Sequence, residues 1–182
     1  MLARRGCSVC ALDLGWDSLL RASRRARERR ADIRFVLGDL YRLPFPDGCF
    51  DAVIACEILE HLDSPGNAVR EIARALSPGG IIVLSTPCRE RIEMTLCIHC
   101  NRKTPVNAHL HSFDERSLAG ILNETGFSVL ESRSFINRPM ERIGFTGLSA
   151  FLPHALWRAA DRMFCRLLGR ESYIAVKAVR NA

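Results

Sequence analysis

Apolar runs of strand length alternate along the chain with segments whose apolar residues recur at helical spacing, the pattern of crossover units that build a parallel sheet. Ser8–Leu12 predicts a buried strand ending at Asp13, followed by a helix over about 18–30 and a second strand, Ile33–Leu37, closed by Gly38 and Asp39. The turn Pro44-Phe45-Pro46-Asp47-Gly48 separates it from a strand over Phe50–Cys56, with Val53 and Ile54 at its centre. Pro65 suits a first helical turn, and Ala68, Val69, Ile72, Ala73 and Leu76 share one face until Ser77-Pro78-Gly79-Gly80 stops the helix. Ile81–Thr86 predicts the next strand, and 87–112 reads as an irregular insertion. Asp114 or Ser112 then caps a helix carrying Leu118, Ile121 and Leu122, which ends at Gly126. Strands over Ser128–Ser134 and Tyr173–Val179 flank a helical insertion at 139–170, with Leu152, Leu156, Trp157 and Phe164 on its apolar side. The pattern predicts one α/β domain spanning residues 1–182.

Composition agrees with one core: 182 residues are 48% hydrophobic and 25% charged. No run reaches the ~18 apolar residues of a membrane helix, and Met1–Cys10 has no apolar signal core, so a cytoplasmic location is expected. Eight cysteines then read as reduced thiols. The net charge of +6 comes mainly from arginine, with Arg21, Arg24, Arg25, Arg27, Arg29 and Arg30 in one helical segment. Such a cluster attracts phosphates, but it lacks interleaved aromatics for stacking bases and reads first as a solvated helix face. Nucleic acid is therefore not the expected partner.

The chemistry is concentrated at strand ends. A carboxylate at the carboxyl end of a strand accepts both hydroxyl hydrogens of a ribose, and Asp13 has that position, although an aspartate there also serves as a helix cap. Asp39 ends the next strand. It belongs to a string containing Gly38-Asp39, Leu43-Pro44-Phe45, Asp47, Phe50-Asp51, Glu57, Glu60 and His61, and Leu76-Ser77-Pro78-Gly79-Gly80 follows downstream. This string resembles the type 11 family of class I S-adenosylmethionine-dependent methyltransferases, and the resemblance covers about residues 6–135.

The resemblance implies a Rossmann-like doubly wound sheet, mostly parallel with an antiparallel final strand, and S-adenosylmethionine as cofactor. Asp13 would take the ribose hydroxyls with Leu14 beside it. Asp39 after Gly38 would accept from the adenine amino group while Leu40 covers the ring, and Glu57 would lie near the charged sulfonium or amino acid part. Methyl transfer is an in-line displacement by a nucleophile on an acceptor that the sequence does not identify. The protein aligns the partners and excludes water, so a base is optional; His61 is the candidate, with a cap or packing role as the alternative. The E-x-x-E-H element of Glu57, Glu60 and His61 also resembles one that binds a divalent cation in some quinone-biosynthesis and small-RNA methyltransferases, with His109 or His111 as a further ligand.

Cys97 and Cys100 form a C-x-x-C knuckle, followed by His109 and His111. Four thiolate or imidazole ligands would suit a structural zinc ion that staples the insertion; two ordinary thiols and surface histidines are the alternative. The family's opening strand and glycine-rich turn have no counterpart in this sequence. In the implied strand order they lie between Ser8–Leu12 and Phe50–Cys56, so those two strands are expected either to pair directly or to leave buried backbone groups unsatisfied. Three readings follow. One is a methyltransferase whose sequence here starts late, with doubtful activity as written; one is a noncatalytic binding or scaffold relative; one is a basic protein that meets RNA or an anionic membrane surface.

Overall fold

The computed structural model describes residues 2–137, 156, 159–163 and 171–181. Strand β1 (Cys10–Asp13) leads into helix α1 (Trp16–Glu28) and strand β2 (Arg34–Leu37), and the two strands pair in parallel with Asp13 opposite Leu37. Helix α1 has Gly15 at its N-cap and carries Asp17 in its first turn and Arg25 and Arg27 in its last, which suits the helix dipole. It buries only Leu19 and Ala26. Its arginines are exposed.

A second sheet runs β3 (Phe50–Cys56), β4 (Leu76–Pro87), β8 (Glu171–Arg180) and β7 (Phe127–Asn137), in that spatial order. β3 and β4 are parallel, while β8 is antiparallel to both of its neighbours, as the resemblance implies. Strand β4 begins earlier than its apolar run predicts. Leu76 already pairs with Phe50, the Ser77 hydroxyl donates to the Phe50 carbonyl, and the turn glycines lie within the strand.

The core forms where helices α2 (Pro65–Ala75) and α3 (Glu115–Glu124) cover this sheet. Helix α2 presents Ala68, Val69, Ile72 and Ala75, all fully buried at helical spacing. Helix α3 is capped by Asp114, whose carboxylate accepts from the Ser117 backbone N–H at 2.9 Å while the Ser117 hydroxyl accepts from the Asp114 N–H. Its Leu118 and Leu122 bury against Phe127, Ile174 and Val176.

Residues 87–112 are not wholly irregular. Strands β5 (Met94–Leu96) and β6 (Lys103–Pro105) form an antiparallel hairpin with Cys97 and Cys100 at its tip. The helical insertion at 139–170 lies, apart from residues 156 and 159–163, outside the described residues.

Strands β1 and β3 do not pair with each other. Among the described residues, β1 bonds β2 alone and β3 bonds β4 alone, so each keeps one backbone edge unpaired. Residues that the centre of a doubly wound sheet would bury are open: Ile54 is 55% exposed and Leu37 54%. The two strands thus do not pair, and the residues along the open edge are largely exposed rather than buried as the second expectation had it.

Candidate functional site

Asp13 is the last residue of β1, and Asp39 follows the neighbouring parallel strand β2. Asp13 Oδ1 accepts from the Gly15 N–H at 2.7 Å, and Asp39 Oδ1 accepts from the Tyr41 N–H at 2.9 Å. Each turn thus fixes one carboxylate oxygen, and the second makes no hydrogen bond among the described residues. Both carboxylates are exposed, as is Leu14, whereas Leu40 packs against the core. Gly38 is required by packing: a Cβ there would lie 2.9 Å from Leu12 Cδ1 and 3.1 Å from Pro44 Cδ. The donor set fits a nucleoside, since two fixed acceptors at adjacent strand tips complement ribose hydroxyls and an exocyclic amine.

Glu57 follows β3 with φ of 53°, a left-handed conformation that costs a non-glycine residue about 1–2 kcal/mol. Two bonds to one neighbour hold it there. Its N–H donates to the Ser85 carbonyl at 2.9 Å and its Oε1 accepts from the Ser85 hydroxyl at 2.6 Å. Glu57 lines a cleft of about 550 Å³ together with Glu60, His61, Glu90, His109 and Tyr173. Asp13 and Asp39 do not line this cleft.

The short turn Leu59–His61 drives Leu59 into the core and leaves the Glu60 side chain only 1% exposed. Neither Glu60 carboxylate oxygen has a well-formed hydrogen bond among the described residues. Burial pushes its carboxyl above the ordinary range, only partly offset by its own backbone N–H, the Thr86 hydroxyl and His61. The Glu60 backbone carbonyl accepts from the N–H groups of Leu110 and His111, at 2.7 and 3.3 Å, and this brings the later loop onto the turn. The result is a cluster in which ligand atoms of Glu60, His61 and His109 lie within 4.8 Å of one another. His61 Nδ1 is 3.2 Å from the Ala108 carbonyl, and His109 Nδ1 is paired with the Glu90 carboxylate. Each imidazole therefore keeps Nε2 for another partner. Such a set could hold a divalent cation.

The sequence-derived zinc set is not assembled. Among the described residues, the one group of three or more such ligands is Glu60, His61 and His109. His109 is drawn away from the knuckle by Glu90, and His111 stacks toward Phe113, at 5.9 Å between ring centroids. Cys97 and Cys100 remain together at the hairpin tip, where the backbone N–H groups of His99 and Cys100, then the Cys100 thiol, hold the Cys97 thiol below its ordinary range. Sequence reasoning missed Ser85, Glu90 and Tyr173. No periodicity or spacing marks them, because each acts through a contact distant in sequence.

Residues 1–84 match the type 11 methyltransferase domain family. A probable S-adenosylmethionine-dependent methyltransferase of Mycolicibacterium smegmatis is 35% identical over 119 residues, which cover 65% of this chain and 43% of that protein. The chain spans less than half the length of the curated relatives it matches first. The fold is shared with an S-adenosylmethionine-dependent methyltransferase from Mesorhizobium loti, with a TM-score of 0.61 and 21% identity over 95% of this chain and 80% of that one. It is shared also with Burkholderia thailandensis 1,6-didemethyltoxoflavin-N1-methyltransferase, solved with 1,6-didemethyltoxoflavin and S-adenosylhomocysteine, at a TM-score of 0.65 and 18% identity over 98% and 64% of the two chains. With its strand order and its motif string both in place, this chain is similar over residues 1–84 to the type 11 methyltransferase domain and shares its fold with S-adenosylmethionine-dependent methyltransferases of known structure.

Proposed function

We propose that this chain holds S-adenosylmethionine at the ends of β1, β2 and β3 and serves methyl transfer to an acceptor bound in the cleft beside Glu57. The observation that carries the reading is the pair of turn-fixed carboxylates, Asp13 at the end of β1 and Asp39 two residues beyond the end of the neighbouring parallel strand β2. Asp13 would accept from the ribose hydroxyls and Asp39 from the adenine amine, with Leu14 and Leu40 flanking the nucleoside. Glu57, locked by Ser85, would place negative charge near the cofactor's positive end. When bound, S-adenosylmethionine supplies an electrophilic methyl group on sulfonium. The chain's part is alignment and exclusion of water. With its Nδ1 proton on the Ala108 carbonyl, His61 would use Nε2 to take a proton from an acceptor that must lose one.

Calorimetry with S-adenosylhomocysteine tests the reading. Binding is expected, with Asp13→Ala and Asp39→Ala each weakening it roughly ten- to hundredfold, the loss of charged hydrogen bonds worth about 1.5–3 kcal/mol. Failure of the chain to bind, or variants that bind as well as the parent, would reject it.

The buried Glu60 carboxylate favours a second reading, in which Glu60, His61 and His109 hold a divalent cation that polarises the acceptor. Manganese should then raise the melting temperature of the parent and leave that of Glu60→Gln unchanged. An equal shift in both, or none in the parent, removes the cation.

A further inference from the structure

The hairpin β5–β6 has two unlike faces. Paired side chains of an antiparallel ladder point to the same side, and the register sets Met94 opposite Pro105, Thr95 opposite Thr104 and Leu96 opposite Lys103. Met94, Leu96, Lys103 and Pro105 therefore share one face, and Thr95 and Thr104 share the other. The first face is uncovered: Met94 is 53% exposed and Leu96 57%. Ile98, in the turn that joins the two strands, is 93% exposed. A short hairpin gains no stability from apolar side chains left in water, so this face is shaped for something outside the chain.

Charge identifies what covers it. From Met94 to Phe113 the chain has Arg102 and Lys103 and no acidic residue. Both are exposed, and neither is in an ion pair among the described residues. An apolar tip with a cationic collar complements an anionic bilayer, whose interface takes the apolar groups and whose phosphate headgroups take the charges. Lys103, paired with Leu96, can lay its stem along the apolar face and keep its ammonium at headgroup level. Three ladder pairs at about 3.4 Å each span roughly 10 Å, the depth to which interfacial elements bury their apolar side. A nucleic acid strand fits less well, since no tryptophan, tyrosine or phenylalanine lies between Met94 and Ser112 to stack on bases.

We propose that the hairpin seats this protein on an anionic lipid bilayer, with Met94, Leu96 and Ile98 entering the interface and Arg102 and Lys103 meeting lipid phosphates. Ile92, Glu93 and Val106, which flank the two strands, line the cleft that also holds Glu57. Docking therefore sets that cleft beside the lipid surface. The inference does not need the cofactor reading, because Leu96, Ile98, Arg102 and Lys103 belong neither to the cleft nor to the turns that fix Asp13 and Asp39.

The test is flotation of the chain with phosphatidylcholine vesicles prepared with and without phosphatidylglycerol. Binding is expected to the anionic vesicles, to weaken with salt, and to be slight on phosphatidylcholine alone. Leu96→Asp and Ile98→Asp should each weaken it roughly ten- to hundredfold through lost apolar burial, and Lys103→Gln roughly fivefold through one lost charge. The double variant Arg24→Gln, Arg25→Gln, on the exposed face of α1, should float like the parent. Because the hairpin substitutions fall on exposed positions, their urea midpoints should match the parent's, which separates lost docking from lost folding. A chain that does not float with anionic vesicles overturns the proposal. So does flotation kept in Ile98→Asp and lost in the α1 variant, or a lipid-free dimer in light scattering that Ile98→Asp abolishes.

Discussion

Replacing Gly38 with alanine tests whether the turn after β2 is as tight as the packing implies. The new Cβ would lie 2.9 Å from Leu12 Cδ1 and 3.1 and 3.3 Å from Pro44 Cδ and Cγ. Leu12 can rotate its terminal methyl away, but the proline ring cannot, so part of the clash must move the backbone. Overpacking of this kind costs about 1–3 kcal/mol. For a chain of this length that corresponds to a fall in melting temperature of roughly 2–12 °C. Because Asp39 is the next residue, the same displacement carries its carboxylate away from Asp13. Loss of a charged hydrogen bond to adenine would weaken S-adenosylhomocysteine roughly ten- to hundredfold. Urea denaturation measures the first effect and calorimetry the second. An alanine variant as stable as the parent would refute the packing argument. A destabilised variant with unchanged ligand affinity would show that Asp39 does not touch the nucleoside.

Two further substitutions separate packing from capping. Leu59 is 1% exposed and anchors the turn that carries Glu60 and His61; Leu59→Ala should cost about 2–5 kcal/mol in urea denaturation, and a loss under about 1 kcal/mol would mean that the turn is not held by this side chain. Asp114 caps α3, and the Ser117 backbone N–H, then the Ser117 hydroxyl, hold its carboxyl below the ordinary range. A depressed carboxyl contributes fully above its unfolded value near about pH 4 and loses that contribution as the pH falls through the lower folded value. Asp114→Ala should therefore lower the unfolding midpoint at pH 7 and differ less from the parent as the pH drops toward 3; a gap that widens in acid would contradict the cap.

Most of the fold is legible because its elements are long and strongly patterned. Ala68, Val69 and Ile72 on their helix, the Asp114 cap and the strand Phe50–Cys56 appear where the sequence puts them, whereas Leu76, expected on the same helix face, opens strand β4. The hairpin does not, because Met94–Leu96 and Lys103–Pro105 are three-residue strands with largely exposed residues and no buried face to set a period. The early start of β4 is hidden for another reason: Ser77-Pro78-Gly79-Gly80 has turn composition, yet Gly80 must lack a side chain because a Cβ would sit 2.8 Å from the Ser77 carbonyl oxygen. The E-x-x-E-H element could be read, with His109 or His111 as its further ligand, but which of the two histidines makes the junction could not. That junction is made by the Glu60 carbonyl and two backbone N–H groups, and backbone bonds leave no residue signature.

The two halves of the proposed site stand on different sheets, and what links them is the loop from Gly38 to Cys49. Asp13 and Asp39 belong to the β1–β2 pair, while Glu57 and the Glu60 cluster belong to the β3–β4 side. With no ladder between β1 and β3, their relative placement depends on how that loop is held. Arg74 of helix α2 grips it at three points, donating to the Leu43 carbonyl at 3.2 Å, the Phe45 carbonyl at 2.9 Å and Asp47 Oδ1 at 2.5 Å. Glu71 completes the clamp by accepting from the Leu43 N–H at 2.9 Å and binding the Arg74 guanidinium through both oxygens. Leu43 is buried by this arrangement, and Leu40 and Phe45 pack on the same core. The Leu-Pro-Phe and Asp47 positions of the motif therefore need not touch the cofactor to matter. They fix where a nucleoside held at Asp13 and Asp39 would meet an acceptor held beside Glu57, and Arg74 and Glu71, outside the motif string, carry that geometry as much as the string itself.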